Sequence, residues 1–362
     1  MLKQIFYLFV FVVVVTSCGS SSENDSEVIT DSFDRVAMLT NITDNIIIPS
    51  YEDFSTKMSA LKQDGETFTA TPNIQNMNTL RASWLNAYKS WQHIEMYNIG
   101  RAEEIQYSFF MNIYPLTVRD VENNIASGSY DLDSPNNHDA QGFPALDYLL
   151  HGLADSDEAI LEKYTATENK DNYKAYLTDV LAQMDALTTE VVNDFISNKS
   201  AFVASVSNTA TSSVNKLIND YIFYYEKNLR AAKIGIPAGI FSSNPLPEKV
   251  EGFYKQDISK TLALEALSGV KLFFEGTDTL PTFKQYLESL DRQDLATSIT
   301  NQLVTAQTQI NTLDDNFFNQ VNTDNTAMTK AYDELQKVVV LIKVDMLQAF
   351  NVSVDFIDAD GD

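Results

Sequence analysis

The chain has 362 residues, more than one compact core usually holds, so two domains are expected. Hydrophobic residues make up 44% of it, which excludes wholesale disorder. The formal net charge of −25 excludes nucleic acid as a partner, because acids this numerous repel phosphate; spread along the whole chain, they read as a solvated acidic surface that also draws cations.

Residues 1–17 read as a signal peptide. Lys3 supplies the positive start, and the apolar run Ile5 to Val15 is too short for a stable membrane-spanning helix. Val15-Thr16-Ser17-Cys18 resembles a bacterial lipobox, in which cleavage precedes the Cys and its thiol is lipidated. Cys18 is the single Cys, so the processed chain has no disulfide and no thiol catalysis. Several acyl chains anchor firmly, at about 0.8 kcal/mol per buried methylene. The small, acidic residues that follow complete a tether over 18–34. These features predict a lipid-anchored protein of the cell envelope, on the periplasmic or surface face of the outer membrane.

From Ser32 the apolar spacing is mostly helical. Trp84, Tyr88 and Trp91 form a stripe at helical steps, and Glu95 extends the same face. An acid on a buried face must be paired or line a cavity. The segment 131–137, with Pro135 and two Asn, reads as a loop. Gly142-Phe-Pro144-Ala-Leu-Asp147-Tyr-Leu-Leu-His151-Gly152 follows it. Leu177, Leu181, Met184, Leu187, Val191 and Phe195 share a stripe, as do Val214, Leu217, Ile218, Tyr221, Tyr225 and Leu229. The stretch 236–252 carries Pro237, Pro245 and Pro247 and reads as a hinge or interdomain connection. Val338 to Val344 is apolar almost all round, which predicts a central helix. The terminal 355–362 starts like a calcium loop but lacks the distal Glu, and reads as an acidic tail.

The chain carries a faint repeat at a spacing near 120 residues. The block 145–152 parallels 269–276; Leu177, Leu181, Asp194 and Phe195 parallel Ile299, Leu303, Asn316 and Phe317; and 229–231 parallels 347–349. Their common order suggests duplication. The expected fold is all-α, two related helical-bundle domains packed side by side, spanning 35–235 and 236–362.

The blocks 39–51, 84–95, Tyr114-Pro115, 142–152, 229–239 and Lys343-Val-Asp345 together resemble the imelysin family of bacterial envelope proteins. The resemblance implies an all-helical fold with a site shared between two bundles. The family includes a proposed metallopeptidase, iron-regulated or iron-uptake-linked lipoproteins and periplasmic ligand binders. Its peptidase assignment rests on a Gly-x-His-x-x-Glu motif. Here Pro144 replaces the His and Asp147 the Glu.

Zinc hydrolysis needs three protein ligands, an open position and a base. Pro144 has no donor, and the chain holds three His: His93, His138 and His151. His151 falls two turns beyond Pro144. Zinc is therefore disfavoured, although His93, His138 and Glu95 could form a rebuilt site. Oxygen ligands from Asp147, Glu95 and Glu226 would suit iron(III), calcium or magnesium. Asp147 also has a plainer role, since an acid in the first turn after Pro144 stabilises the helix dipole. Arg230 is the expected counter-charge of Glu95, with Lys233 and Glu226 on neighbouring turns; the plainer alternative is an i, i+4 surface pair of Glu226 with Arg230.

The ligand-binding candidates are thus Gly142, Pro144, Asp147, Trp91, Glu95, Glu226, Arg230 and Lys233, with no catalytic residue assigned. The expected function is binding of a small ligand or cation, iron or calcium, at the interdomain cleft, in iron or nutrient uptake with an envelope partner. An atypical metallopeptidase and a non-enzymatic scaffold are the alternatives.

Overall fold

The structure, a computed structural model, describes residues 31–277 and 279–354. The segment read as a signal peptide, Cys18 and the segment read as an acidic tail lie outside the described residues. Every regular element among those described is helical.

Sequence-encoded caps start many of the helices. Asp34 accepts from the Ala37 N–H at the head of α1, Arg35–Ile42. Asn73 does the same for α3, Ile74–Trp91. In each case a short polar side chain satisfies an amide that the helix leaves orphaned. Between them α2, Ile48–Ala70, packs along α3. Short helices α4 (Arg101–Glu104), α5 (Tyr107–Met111) and α6 (Val118–Ser127) lead to α7, Gly142–Asp147. After α8 (Asp157–Thr165) comes the long α9, Lys170–Ala204, whose Leu177, Leu181, Met184, Val191 and Phe195 stripe is buried. Together α2, α3 and α9 form the first bundle.

α10, Ser213–Phe223, runs into a π-helical segment, Tyr224–Gly235. The Pro-bearing connection leads to α11 (Ser259–Glu275), α12 (Phe283–Ser289), α13 (Gln293–Asn311) and α14 (Phe317–Val339). A second π segment, Val340–Met346, and α15, Leu347–Phe350, close the described chain. The Tyr224–Gly235 segment packs on α14 and α11, although it precedes the connection.

The two groups of helices meet where α11 crosses α3. Gly269 permits the approach: a Cβ there would stand 3.2 Å from the His93 Cα. Gly142, the glycine at the start of the motif segment, behaves differently. It opens α7 with φ +72°, whereas Gly269 lies inside α11.

The expectation of a central helix at 338–344 requires correction. Val338, Val339 and Ile342 are buried, but Val340 and Val344 are about half exposed. The segment turns π-helical here, so its apolar residues divide between core and solvent.

Candidate functional site

α7 is held from several sides. The Trp84 indole N–H donates to the Phe143 carbonyl at 3.2 Å, and the Phe143 ring stacks on Tyr88 with centroids 4.5 Å apart. Gly142 is required at the helix start. A Cβ would lie 2.3 Å from the Met111 carbonyl oxygen, and the positive φ disfavours side chains as well.

Asp147 is buried and occupied. Its two carboxylate oxygens accept the backbone N–H groups of Tyr254 and Lys255, each at 2.9 Å. His151 Nδ1 stands 3.4 Å from Oδ1. Asp147 thus ties α7 to the Pro-bearing connection. The first-turn reading needs correction, because Asp147 ends the six-residue α7, beyond its first turn, and the chain continues as a π turn, Tyr148–Gly152.

Pro144 and Asp147 line a pocket of about 200 Å³ with Tyr114, Leu116, Glu248 and Tyr254. Of the sequence candidates, those two reach it. Gly142 is not part of its lining and packs against the Phe110 and Met111 backbone. Trp91 belongs to the core, packed against Phe54, Tyr107 and Phe143.

Beside this pocket lies a buried charge cluster. Lys233 Nζ is 2.6 Å from Glu251 Oε2 and 3.9 Å from Glu95 Oε2. All three side chains are almost wholly withdrawn from water. The Asn112 amide donates to Glu251 Oε1 at 2.9 Å, and it lies 3.1 Å from Glu95 Oε1. Gln92 Nε2 donates to Glu251 Oε1 at 3.1 Å. The Tyr88 hydroxyl sits 2.7 Å from Asn112 Oδ1 and 3.1 Å from Glu251 Oε1. Tyr114, which follows in a cis peptide bond to Pro115, lines the pocket and places its ring 5.9 Å from Lys233 Nζ. Burial raises the Glu95 carboxyl above its ordinary range; Lys233 opposes that shift and Glu251 adds to it. Tyr114 and Tyr88 are raised by burial and then by the Glu251 charge.

Arg230 is not the counter-charge of Glu95; Lys233 is. The i, i+4 pair of Arg230 with Glu226 does form, at 3.6 Å, but inside the protein and not on its surface. Glu226 also pairs with Lys227 and with Lys343, each at 2.9 Å. The Arg230 guanidinium donates to the Tyr332 hydroxyl at 3.0 Å and to Gln336 Oε1. A π segment carries Glu226, Arg230 and Lys233. Its wider turn sends Lys233 to the Glu95 cluster while Arg230 faces α14.

Glu251 was missed because it sits in a stretch that reads as a hinge. An acid between Val250 and Gly252, followed by Phe253-Tyr254, was the available signal. Asn112 and Tyr114 carried no periodic signal at all.

The donor set does not fit a metallopeptidase ion. Pro144 offers no ligand atom, and both Asp147 oxygens are engaged by amides. No group of three His, Cys, Asp or Glu among the described residues is placed to hold a metal. This corrects both the Asp147–Glu95–Glu226 cation site and the rebuilt His93–His138–Glu95 site. His93 is instead bonded to Glu265 at 2.9 Å, and His138 packs against Phe109 and Phe110.

The family model for imelysin, a peptidase family by its label, matches residues 47–342. The chain belongs to the imelysin family. Its fold is similar to that of an imelysin-like protein from Psychrobacter arcticum 273-4, with a TM-score of 0.73 and 16% identity over 91% of this chain and 100% of that one. It is also similar to a protein of Parabacteroides distasonis ATCC 8503, provisionally named iron-regulated protein A precursor. There the TM-score is 0.69, with 18% identity over 86% of this chain and 95% of that one. No curated protein matches. The chain keeps the all-helical fold of these structures and carries Pro144 and an amide-bound Asp147 on α7.

Proposed function

We propose that this imelysin is a lipid-anchored envelope protein that binds a small ligand in the pocket between α7 and the Pro-bearing connection. It serves iron or nutrient acquisition and does not hydrolyse peptides. One observation carries the reading. The pocket wall joins Pro144 and the aromatic rings of Tyr114 and Tyr254 to the buried Lys233–Glu251–Glu95 cluster through Tyr114. A mostly apolar recess with a few fixed polar groups is the usual form of a small-ligand site. The relative named as iron-regulated supports the nutrient setting. Lipidation at Cys18 would hold the protein at the membrane, where an uptake partner could receive the ligand.

The test is native mass spectrometry of the protein purified from the envelope of a Gram-negative host, together with thermal melts in iron(III) citrate and calcium chloride. The expected result is a bound small molecule or a rise in melting temperature, lost when Leu116→Trp fills the pocket. Chelator-sensitive cleavage of unfolded casein would replace this reading with the peptidase. No bound species and no shift, with a protein partner recovered on pull-down, would favour a scaffold. Cys18→Ser should move the protein out of the membrane fraction.

A further inference from the structure

A second cavity, about 340 Å³ in volume, opens where the first bundle meets α11. Ile46, Pro49, Asp53 and Lys57 line it from α2 and the turn before α2, and Lys89 and Glu265 line it from α3 and α11. It shares no lining residue with the motif pocket.

The α2 wall has an order. A π turn, Thr43–Ile47, leads into the helix, and such turns are frequent at functional sites. Ile46, Pro49, Asp53 and Lys57 follow one another at steps of three and four, the spacing that keeps side chains on one helix face. At about 6 Å of rise per four residues, the wall runs from apolar to acidic to basic.

The acid and the base are open to solvent. The Asp53 side chain is 53% exposed and that of Lys57 38%. Lys57 Nζ donates to Asp53 Oδ2 at 2.7 Å, and the Ser90 hydroxyl donates to the same oxygen at 2.6 Å. No described residue donates to Asp53 Oδ1. An ammonium has three N–H donors, so Lys57 keeps donors beyond the one on Asp53. The opposing acid is committed, because Glu265 already holds Lys89 at 3.1 Å and His93 at 2.9 Å. Partial burial pushes the Asp53 carboxyl up, but its bonds from Lys57 and Ser90 hold it below its ordinary range. It is therefore ionised at neutral pH.

A carboxylate beside an ammonium carries no net charge. A lone cation or anion is attracted by one and repelled by the other. A molecule with both charges on neighbouring atoms satisfies the two together, through charge-assisted hydrogen bonds. The apolar stretch before Asp53 then receives the rest of such a molecule.

We infer that this cavity binds an α-amino acid with a neutral aliphatic side chain. Its ammonium meets Asp53 Oδ1, its carboxylate meets the Lys57 ammonium, and its side chain lies along Pro49 and Ile46. The site is separate from the motif pocket and does not depend on the function proposed for it.

The test is isothermal titration of the full chain with L-leucine, set against two analogues that each lack one charge. 4-Methylpentanoate lacks the ammonium, and 3-methylbutylamine lacks the carboxylate. Leucine should bind saturably, and each analogue at least about tenfold more weakly. Asp53→Asn and Lys57→Gln should each weaken leucine binding by at least about tenfold. Both side chains belong to an exposed i, i+4 pair, which contributes little to stability, so both variants keep the fold. Filling the motif pocket with Leu116→Trp should leave leucine binding unchanged. No saturable binding of leucine, equal binding of leucine and either analogue, undiminished binding by either charge variant, or loss of binding in Leu116→Trp would each overturn the assignment.

Discussion

Lys233 donates to Glu251 at 2.6 Å across the inner end of the Pro-bearing connection, in a setting where both side chains are 2% exposed. The pair ties the π segment after α10 to the strip of chain that covers α7. Removing the ammonium strands two acids in the interior. Lys233→Met should therefore cost about 3–5 kcal/mol, the usual penalty for breaking a buried pair. Urea unfolding measures it. Adding Glu251→Gln to Lys233→Met should recover part of the loss, and a purely additive result would show that the two residues are not coupled.

Asp147 supplies the second tie. Asp147→Ala leaves the Tyr254 and Lys255 amides without acceptors, at about 1–3 kcal/mol per buried unsatisfied group. Hydrogen exchange at those two amides should quicken while exchange in α9 changes little. Unchanged protection at 254 and 255 would refute the role given to Asp147.

Gly142 admits no side chain. Its φ of +72° and the 2.3 Å approach to the Met111 carbonyl predict that Gly142→Ala destabilises by more than about 1 kcal/mol. The thermal melt of this variant should fall well below that of a control at exposed Gly128, where a Cβ meets only the Asn172 side-chain amide, at 3.2 Å. Equal losses would mean that the tight approach contributes nothing beyond the positive φ.

Glu265 links the halves electrostatically. His93 Nε2 bonds it at 2.9 Å and Lys89 at 3.1 Å. The His93 contact first, and then Lys89, hold its carboxyl down at about 2, against an ordinary value of 4.5, despite partial burial. A depressed carboxyl stabilises the fold above its unfolded pKa. That contribution should fade as pH falls from about 4.5 toward about 2. Glu265→Gln should show a smaller stability loss than wild type between pH 6 and pH 3. Identical pH profiles would show that Glu265 is not a linked group.

Much of the scaffold was legible from residue order. Leu177, Leu181, Met184, Val191 and Phe195 form a buried stripe because helical periodicity is a local property, set within a few residues. Trp84, Tyr88 and Trp91 followed the same rule, and the burial of Glu95 followed from their face. The block order from 84–95 through 229–239 sufficed to suggest the family. The substitutions at Pro144 and Asp147 already argued against a zinc site, since a missing donor atom is a property of residue type.

Partner choice was not legible. Glu95 falls in the turn after α3, four residues beyond Trp91, and nothing in the order of residues says whether Lys233 or Arg230 meets it. Those two differ by three positions on a segment that winds as a π helix, and the wider turn reassigns their faces. Glu251 approaches from an irregular connection with no period to read, and Asn112 from a short loop. Asp147 looked like a free acid because its acceptors' partners are backbone amides 107 and 108 residues away. Every residue carries such an amide, so no side-chain pattern marks the two it binds. Periodicity is written within a turn or two of chain, whereas the pairing of a buried charge depends on which distant segment the packing brings within about 3 Å, and only the assembled tertiary structure decides that.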